Sequence, residues 1–150
     1  MYAHAQALRK GRTSVVNHFY SVTVITYQRH KYFLDFDNAR KVIAALKNSD
    51  ELGFTQTISF IVMPDHFHWL FQLKNKENLS EVLRRVKGCS SFNIKNKHTP
   101  QVWQQGFYDS LIRNEDHLIA QARYIVATPL RASLVKYIGD YPFWDCIYLK

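Results

Sequence analysis

The chain has 150 residues and a formal net charge of +8, from 20 lysines and arginines against 12 acidic residues. Apolar residues make up 47% of it and aromatic residues 15%, a composition that excludes a disordered tail or a fibrous protein. A chain of this length buries roughly 70% of its unfolded surface, so we expect a single domain over residues 1–150. The excess positive charge favours a polyanionic partner, nucleic acid first, although it is also typical of ordinary solubility.

The cysteine content and the hydropathy of the chain indicate in which cellular compartment we expect the protein. Cys89 and Cys146 lie far apart and form no CxxC pair, which argues against a disulfide scaffold or a four-cysteine zinc site. No apolar run approaches the length of a membrane span, and the basic residues near the start are not followed by a hydrophobic signal core. We therefore expect a cytoplasmic protein without a membrane partner.

The first half of the chain predicts a strand, a helix and a hairpin. Residues 1–14 are polar and aperiodic, as in a loose N-terminal arm, and residues 15–27 have the β-branched and aromatic composition of a central strand. Asp37 or Asn38 is then expected to cap a helix that Gly53 follows. The apolar runs 55–62 and 67–73, separated by Met63, Pro64 and Asp65, predict a β-hairpin.

The second half alternates helices with extended segments. Asn78 followed by Glu81 predicts the start of a helix whose apolar stripe comprises Leu79, Val82, Leu83, Val86 and Cys89. Residues 102–114 read as partly extended, and Asn114 is expected to cap a helix that begins at Glu115 and that Pro129 ends near Ala127 or Thr128. The tail mixes a short helical stretch with aromatic residues. The order of elements predicts an α+β, ferredoxin-like sandwich: a mainly antiparallel central sheet with helices packed on it.

Two histidines at the start of the second hairpin strand are candidate metal ligands. Side chains two apart on a strand point the same way, so His66 and His68 can converge on one ion. The residues between and after them, Phe67, Trp69, Phe71 and Leu73, take the opposite, core-facing side. An isolated His-x-His is more often a surface or hydrogen-bonded pair than a metal site.

Tyr124 lies off the apolar stripe of its helix. At 100° per residue it falls about 120° from Leu118, away from Ala122 and Ile125, on the face that carries His117 and Gln121. A tyrosine in this position more commonly covers a neighbouring surface. Beside a divalent cation and a phosphodiester, its hydroxyl could instead serve as a nucleophile.

Several ordered motifs carry a family resemblance. VMPDHFHWL around the histidines, VWQ at 102–104, FYDSLIRN at 107–114 and YIVATPLRASLV at 124–135 resemble the motifs of the HUH single-tyrosine transposases. The likeness is to the REP-associated tyrosine transposases in particular, and it covers roughly residues 15–145.

The resemblance implies a ferredoxin-like fold with the histidines on a central strand. His66 and His68 would bind Mg²⁺ or Mn²⁺, and Tyr124 would attack a single-stranded DNA phosphate to form a 5′-phosphotyrosyl enzyme and a free 3′-hydroxyl. Reverse attack would rejoin the strands. The implied substrates are hairpins of imperfectly palindromic DNA, which suggests a nucleoid-associated protein. Both a homodimer and a monomer agree with the family.

The chain departs from the family pattern near the tyrosine. Thr128 stands four residues after Tyr124, at the position that resembles a third metal ligand and usually holds an amide; Gln121 is the alternative. Ser133 replaces a usual glycine, and Tyr108 is a second, less favoured nucleophile candidate.

Basic residues are the candidates for phosphate contacts. The predicted DNA-binding set is Arg84, Arg85, Lys87, Lys95, Lys97, Arg113 and Arg131. A plain solvated face is the alternative for the basic helix. Two other functions stay open: a relative that only binds structured single-stranded DNA or RNA, and, less favoured, a zinc hydrolase, for which the sequence offers no third ligand at suitable spacing.

Overall fold

A computed structural model of the chain describes residues 17–74 and 77–149, so the predicted arm at 1–14 lies outside the described residues. Five strands and four helices follow in chain order: β1 (Phe19–Ile25), α1 (Phe36–Glu51), β2 (Thr55–Met63), β3 (His66–Leu73), α2 (Leu79–Ser91), β4 (Tyr108–Leu111), α3 (Glu115–Val126), α4 (Thr128–Arg131) and β5 (Trp144–Cys146). Short 3-10 turns occupy Tyr27–Arg29, Tyr32–Leu34 and Ile138–Asp140. Within the described ranges, no helix has the length and apolar character needed to cross a bilayer.

The strands form one sheet in the order β4-β1-β3-β2-β5, and every neighbouring pair is antiparallel. The first four strands with α1 and α2 give the ferredoxin-like arrangement that the sequence predicts. The added strand β5, which pairs with β2, was not predicted. It has three residues, too few for a period-two pattern to show against the aromatic tail.

Each face of the sheet is covered by a different helical layer. The α1–α2 layer packs on Val22, Phe67 and Trp69, which are fully buried. Helix α3 covers the opposite face, where Ile61 and Leu70 join its apolar stripe of Leu118, Ala122, Ile125 and Val126. Because both faces are covered, β3 alternates between two cores, and its histidines face the α3 side.

Helix caps agree with the sequence in two cases and differ in one. Asn78 accepts a hydrogen bond from the Glu81 amide, and Asn114 from the His117 amide, as predicted. The predicted cap of α1 at Asp37 or Asn38 was wrong. Asp35 caps this helix by accepting from the Asn38 amide, which places the helix start two or three residues earlier, at Phe36.

The apolar stripe of α2 and the end of α3 each differ in part from the prediction. The stripe of α2 buries Ser90 in place of Cys89, which is exposed. Helix α3 begins at Glu115 as predicted and ends at Val126, one or two residues before the predicted end, and the chain then enters the short helix α4 because proline is accepted in a first turn. Ser133, just after α4, has a φ of 58°, in the left-handed region that favours glycine.

Candidate metal and nucleophile site

The two histidines of β3 lie side by side on the sheet face that α3 covers. The ring centroids of His66 and His68 are 4.8 Å apart in an edge-on arrangement, and both side chains are half-buried. Phe67 between them is fully buried in the opposite core, as the strand alternation predicts. The fold therefore brings both imidazoles to one side of the sheet at the end of β3.

His66 is oriented by the residue before it. Its Nδ1 is 2.7 Å from an Asp65 carboxylate oxygen, and the other oxygen accepts a hydrogen bond from Arg29 at 3.2 Å. Burial would raise the pKa of Asp65, but its contacts with His66 and Arg29 hold that pKa below its usual value. Because an ionised carboxylate can only accept, Nδ1 of His66 carries the proton and Nε2 presents its lone pair.

His68 is oriented from the neighbouring strand. Thr23 on β1 pairs with His68 in the antiparallel register, and its hydroxyl oxygen lies 2.8 Å from the Nδ1 of His68. Burial, then the neighbouring His66 and the positive charge of Arg131, lower the pKa of His68 to about 3. Burial also lowers the pKa of His66, against the opposing pull of Asp65. Both rings are therefore neutral at pH 7, the form that binds metal ions.

This donor set fits a divalent cation. Each Nδ1 atom is already hydrogen-bonded, which leaves the two Nε2 atoms as ligands, and the carboxylate behind His66 is the usual outer partner of a metal-binding histidine. Within the described part of the chain, no cluster of three or more His, Cys, Asp or Glu side chains could hold an ion. Further ligands must therefore be amide, hydroxyl, water or phosphate oxygens.

Tyr124 stands on the outer side of α3 with 58% of its surface exposed. Its neighbours on the stripe, Ala122 and Ile125, are buried, as the helical periodicity predicts. The guanidinium carbon of Arg131 lies 3.7 Å from the centroid of the Tyr124 ring. The charge of Arg131 also contributes, after burial and His66, to the lowered pKa of His68.

The two candidates for a third metal ligand differ in what they contact. The side-chain amide of Gln121 donates to the Ser21 hydroxyl at 3.0 Å, which places it over β1, two residues along from Thr23. The Thr128 hydroxyl instead donates to the Ile125 carbonyl at 2.6 Å and accepts from Arg131 at 3.0 Å. The Gln121 amide therefore lies over the strand that carries Thr23, whereas the Thr128 hydroxyl is engaged in the α3–α4 turn.

Tyr108, the second nucleophile candidate, also faces this side of the sheet. It lies on β4 opposite Thr23, and it is half-buried. The row Tyr108, Thr23, His68 thus crosses three strands. An exposed phenol on α3 is more accessible to a DNA strand than one in the edge strand.

The predicted DNA-binding residues divide between the two faces. Those of α2 and the following loop lie with the α1–α2 layer and have partners: Arg84 pairs with Glu81 at 2.8 Å, Arg85 with Glu77 at 2.5 Å, and Lys95 with Asp37. The Lys87 amine donates to the carbonyls of Gln104 and Gly106. Lys97 is an exposed residue of the loop after α2. Arg113 and Arg131 flank α3 on the face of the histidines and are exposed.

Three residues of the site were not singled out from the sequence. Asp65 directly precedes His66, and this adjacency is a signal that could have identified it. Arg29 and Thr23 are 36 and 45 residues away in sequence from the groups they contact. The pairing of β1 with β3 brings Thr23 to His68, and the 3-10 turn that follows β1 brings Arg29 to Asp65.

Comparison with known proteins shows the family to which the chain belongs. The family model described as "Transposase IS200 like" matches residues 14–128. A Haemophilus influenzae protein, provisionally named a REP-associated tyrosine transposase, is 28% identical over 137 residues, which cover 83% of this chain and 77% of the relative. The REP-associated tyrosine transposase of Escherichia coli K12 is 27% identical over 88 residues, covering 57% and 50%.

Solved structures show the same fold. A REP-associated tyrosine transposase bound to a REP hairpin superposes with a TM-score of 0.76 at 21% identity, covering 89% of this chain and 79% of that one. A Deinococcus radiodurans protein described as a transposase gives 0.54 at 18% identity, covering 76% and 92%. The sheet carries a histidine pair on the face that α3 covers, and the chain belongs to the IS200-like transposase family, whose model matches residues 14–128. Its relatives within that family are the REP-associated tyrosine transposases, which confirms the resemblance found in the sequence.

Proposed function

We propose that this protein is a metal-dependent endonuclease and strand transferase that cuts and rejoins hairpin or palindromic single-stranded DNA. The observation that carries the proposal is the position of Tyr124, an exposed phenol on the helix that covers the same sheet face as His66 and His68. The family supports the reaction class. The hairpin named for the solved relative supports the kind of DNA.

The proposed step is a transesterification at phosphorus. The Tyr124 hydroxyl oxygen attacks a DNA phosphate, so that the Oη–P bond forms and the P–O3′ bond breaks. The phenolic proton passes to solvent, and the departing 3′ oxygen takes a proton from solvent. Attack of a 3′-hydroxyl on the phosphotyrosine reverses the step and joins the strands, so no external energy source is needed.

His66 and His68 would hold the divalent cation through Nε2, with Gln121 the better placed of the two candidates for a further oxygen ligand. Bound there, a cation supplies charge stabilisation at the phosphate oxygens. Imidazole nitrogen is a softer donor than the oxygen ligands that Mg²⁺ prefers, so we expect Mn²⁺ to bind more tightly than Mg²⁺. Asp65 and Thr23 would orient the two rings, and Arg113 and Arg131, which flank α3, would contact phosphates.

The test is formation of a covalent protein–DNA adduct. Wild-type protein with Mn²⁺ and a pool of single-stranded hairpins should give a denaturation-resistant adduct, and Tyr124→Phe should abolish it while hairpin affinity stays within a few fold. A Tyr137→Phe variant, which removes a different exposed phenol, should form the adduct as the wild type does. An adduct that persists in Tyr124→Phe would reassign the nucleophile.

A second function, hairpin binding without cleavage, is favoured by one observation: the hydroxyl of Thr128, a candidate third metal ligand, is engaged with the Ile125 carbonyl and with Arg131. If the wild type binds hairpins tightly but neither binds Mn²⁺ nor forms an adduct, this second function is correct. In either case binding should weaken with salt, at a log–log slope of roughly −0.7 per phosphate contacted on a single strand. Nucleoid association and the choice between monomer and homodimer stay predictions.

A further inference from the structure

The guanidinium of Arg131 makes three contacts with the segment that carries the nucleophile. It lies over the Tyr124 ring, with 3.7 Å between the guanidinium carbon and the ring centroid. Nη1 donates to the Tyr124 carbonyl at 2.8 Å, and Nη2 donates to the Thr128 hydroxyl at 3.0 Å. We propose that Arg131 is a positioning residue that fixes the Tyr124 ring in the orientation from which it attacks DNA, an inference that rests on the proposed function.

The chain path after α3 explains how Arg131 reaches the ring. The carbonyls of the last turn of a helix have no partner within the helix, and the carbonyl of Tyr124 is one of them. Pro129 ends α3 and lies in the single turn of α4, and this turn brings Arg131 back over the C-terminal end of α3. Thr128 completes the arrangement, because its hydroxyl donates to the Ile125 carbonyl and accepts from Arg131.

The Tyr124 ring needs such a contact because it is otherwise open to solvent. More than half of its surface is exposed, so core packing does not select its rotamer. The Arg131 guanidinium lies on one face of the ring and is held by hydrogen bonds to the Tyr124 carbonyl and the Thr128 hydroxyl. It therefore restricts the side-chain torsions of the phenol. Holding the attacking oxygen in place before DNA binds lowers the entropic part of the barrier.

Stacking and charge are separable contributions of this side chain. A guanidinium is planar and can stack while it donates two hydrogen bonds, whereas an ammonium is a point charge that cannot do both. Arg131→Lys therefore keeps the positive charge near the phosphate but removes the planar group from the ring. Arg123→Gln is the matched control: it removes an exposed charge from the residue next to Tyr124 and leaves the stacked pair intact.

The kinetic test measures hairpin affinity and, at saturating hairpin with Mn²⁺, the rate of adduct formation. We expect Arg131→Lys to bind hairpin within about 3-fold of wild type but to form the adduct at least about 10-fold more slowly. Arg123→Gln should keep an adduct rate within about 2-fold of wild type once the DNA is saturating. A wild-type adduct rate in Arg131→Lys would overturn the positioning role and leave Arg131 as a source of charge only.

A second measurement needs neither DNA nor metal. Protons held over an aromatic face are shifted upfield in NMR spectra, so the Arg131 Hδ resonances of the DNA-free protein should move downfield in Tyr124→Leu. Unchanged resonances would overturn the inference even if the protein cuts DNA. Absence of an adduct in the wild type would instead overturn the proposed function, so the two failures are distinguishable.

Discussion

At the scale of single residues, the arrangement around the histidines depends on side chains that carry no chemistry themselves. Asp65 determines which nitrogen of His66 is protonated, and the Thr23 hydroxyl contacts the corresponding nitrogen of His68. The sequence was sufficient to predict that both rings share a face, because that follows from strand alternation. It could not predict the contact with Thr23, which depends on the pairing of two strands far apart in the chain.

Asp65→Asn tests whether the carboxylate prepares His66 for a metal. The amide removes the negative charge and can present its NH₂ group to Nδ1, so we expect Mn²⁺ affinity to fall by about 10- to 100-fold. Calorimetric titration of the DNA-free protein with Mn²⁺ measures this. The control is Asp37→Asn, which breaks an exposed pair with Lys95 in the α1–α2 layer and should leave Mn²⁺ affinity unchanged. Equal affinities for Asp65→Asn and wild type would contradict the assignment.

At the scale of elements, local signals decided how much could be predicted. Helix α3 was predicted with its observed start and within two residues of its observed end because Asn114 caps it, Pro129 stops it and its apolar stripe is regular. The start of α1 was misplaced because three polar residues capable of capping, Asp35, Asp37 and Asn38, lie within four positions, and only the backbone geometry selects among them. Strand β5 is too short to show a pattern of its own and depends on its pairing with β2.

The segment after α4 offers an element-scale prediction. Ser133 adopts a φ of 58°, which disfavours residues with a Cβ atom. Ser133→Gly should therefore raise the free energy of unfolding by about 1 kcal/mol. Chemical denaturation followed by circular dichroism measures the change.

The control for this substitution is Ser80→Gly, within the first turns of α2. There glycine lacks any conformational advantage and should lower the free energy of unfolding by about 0.5–1 kcal/mol. A destabilising Ser133→Gly would mean that contacts of the serine side chain outweigh the backbone term.

At the scale of the whole molecule, the predicted DNA-binding residues, all of which the structure describes, divide between the two faces of the sheet. The arginines of α2 lie on the far side of the sheet from the histidines and are paired with glutamates, whereas Arg113 and Arg131 lie at the two ends of α3. Exposed ion pairs contribute little to stability, but each one reduces the local positive potential. Composition alone could not reveal this division, because it depends on which face each helix covers.

Two single substitutions test which face meets the DNA. Arg113→Gln should weaken hairpin binding several-fold and reduce the magnitude of the salt slope by about 0.7. Arg84→Gln removes a charge that Glu81 already neutralises, and it should stay within about 2-fold of wild type. Fluorescence anisotropy over a range of salt concentrations measures both. If Arg84→Gln instead weakened hairpin binding more than Arg113→Gln, the DNA would bind over the α1–α2 layer, with α2 in the interface.

In the proposed reaction, Tyr124 on α3 becomes covalently joined to DNA beside a cation that His66 and His68 hold. The most direct test is to trap the adduct with Mn²⁺ and a hairpin substrate, digest it with protease and nuclease, and locate the nucleotide-bearing residue by mass spectrometry. We expect a 5′-phosphonucleotide on Tyr124. A nucleotide on Tyr108, or on any other residue, would contradict it.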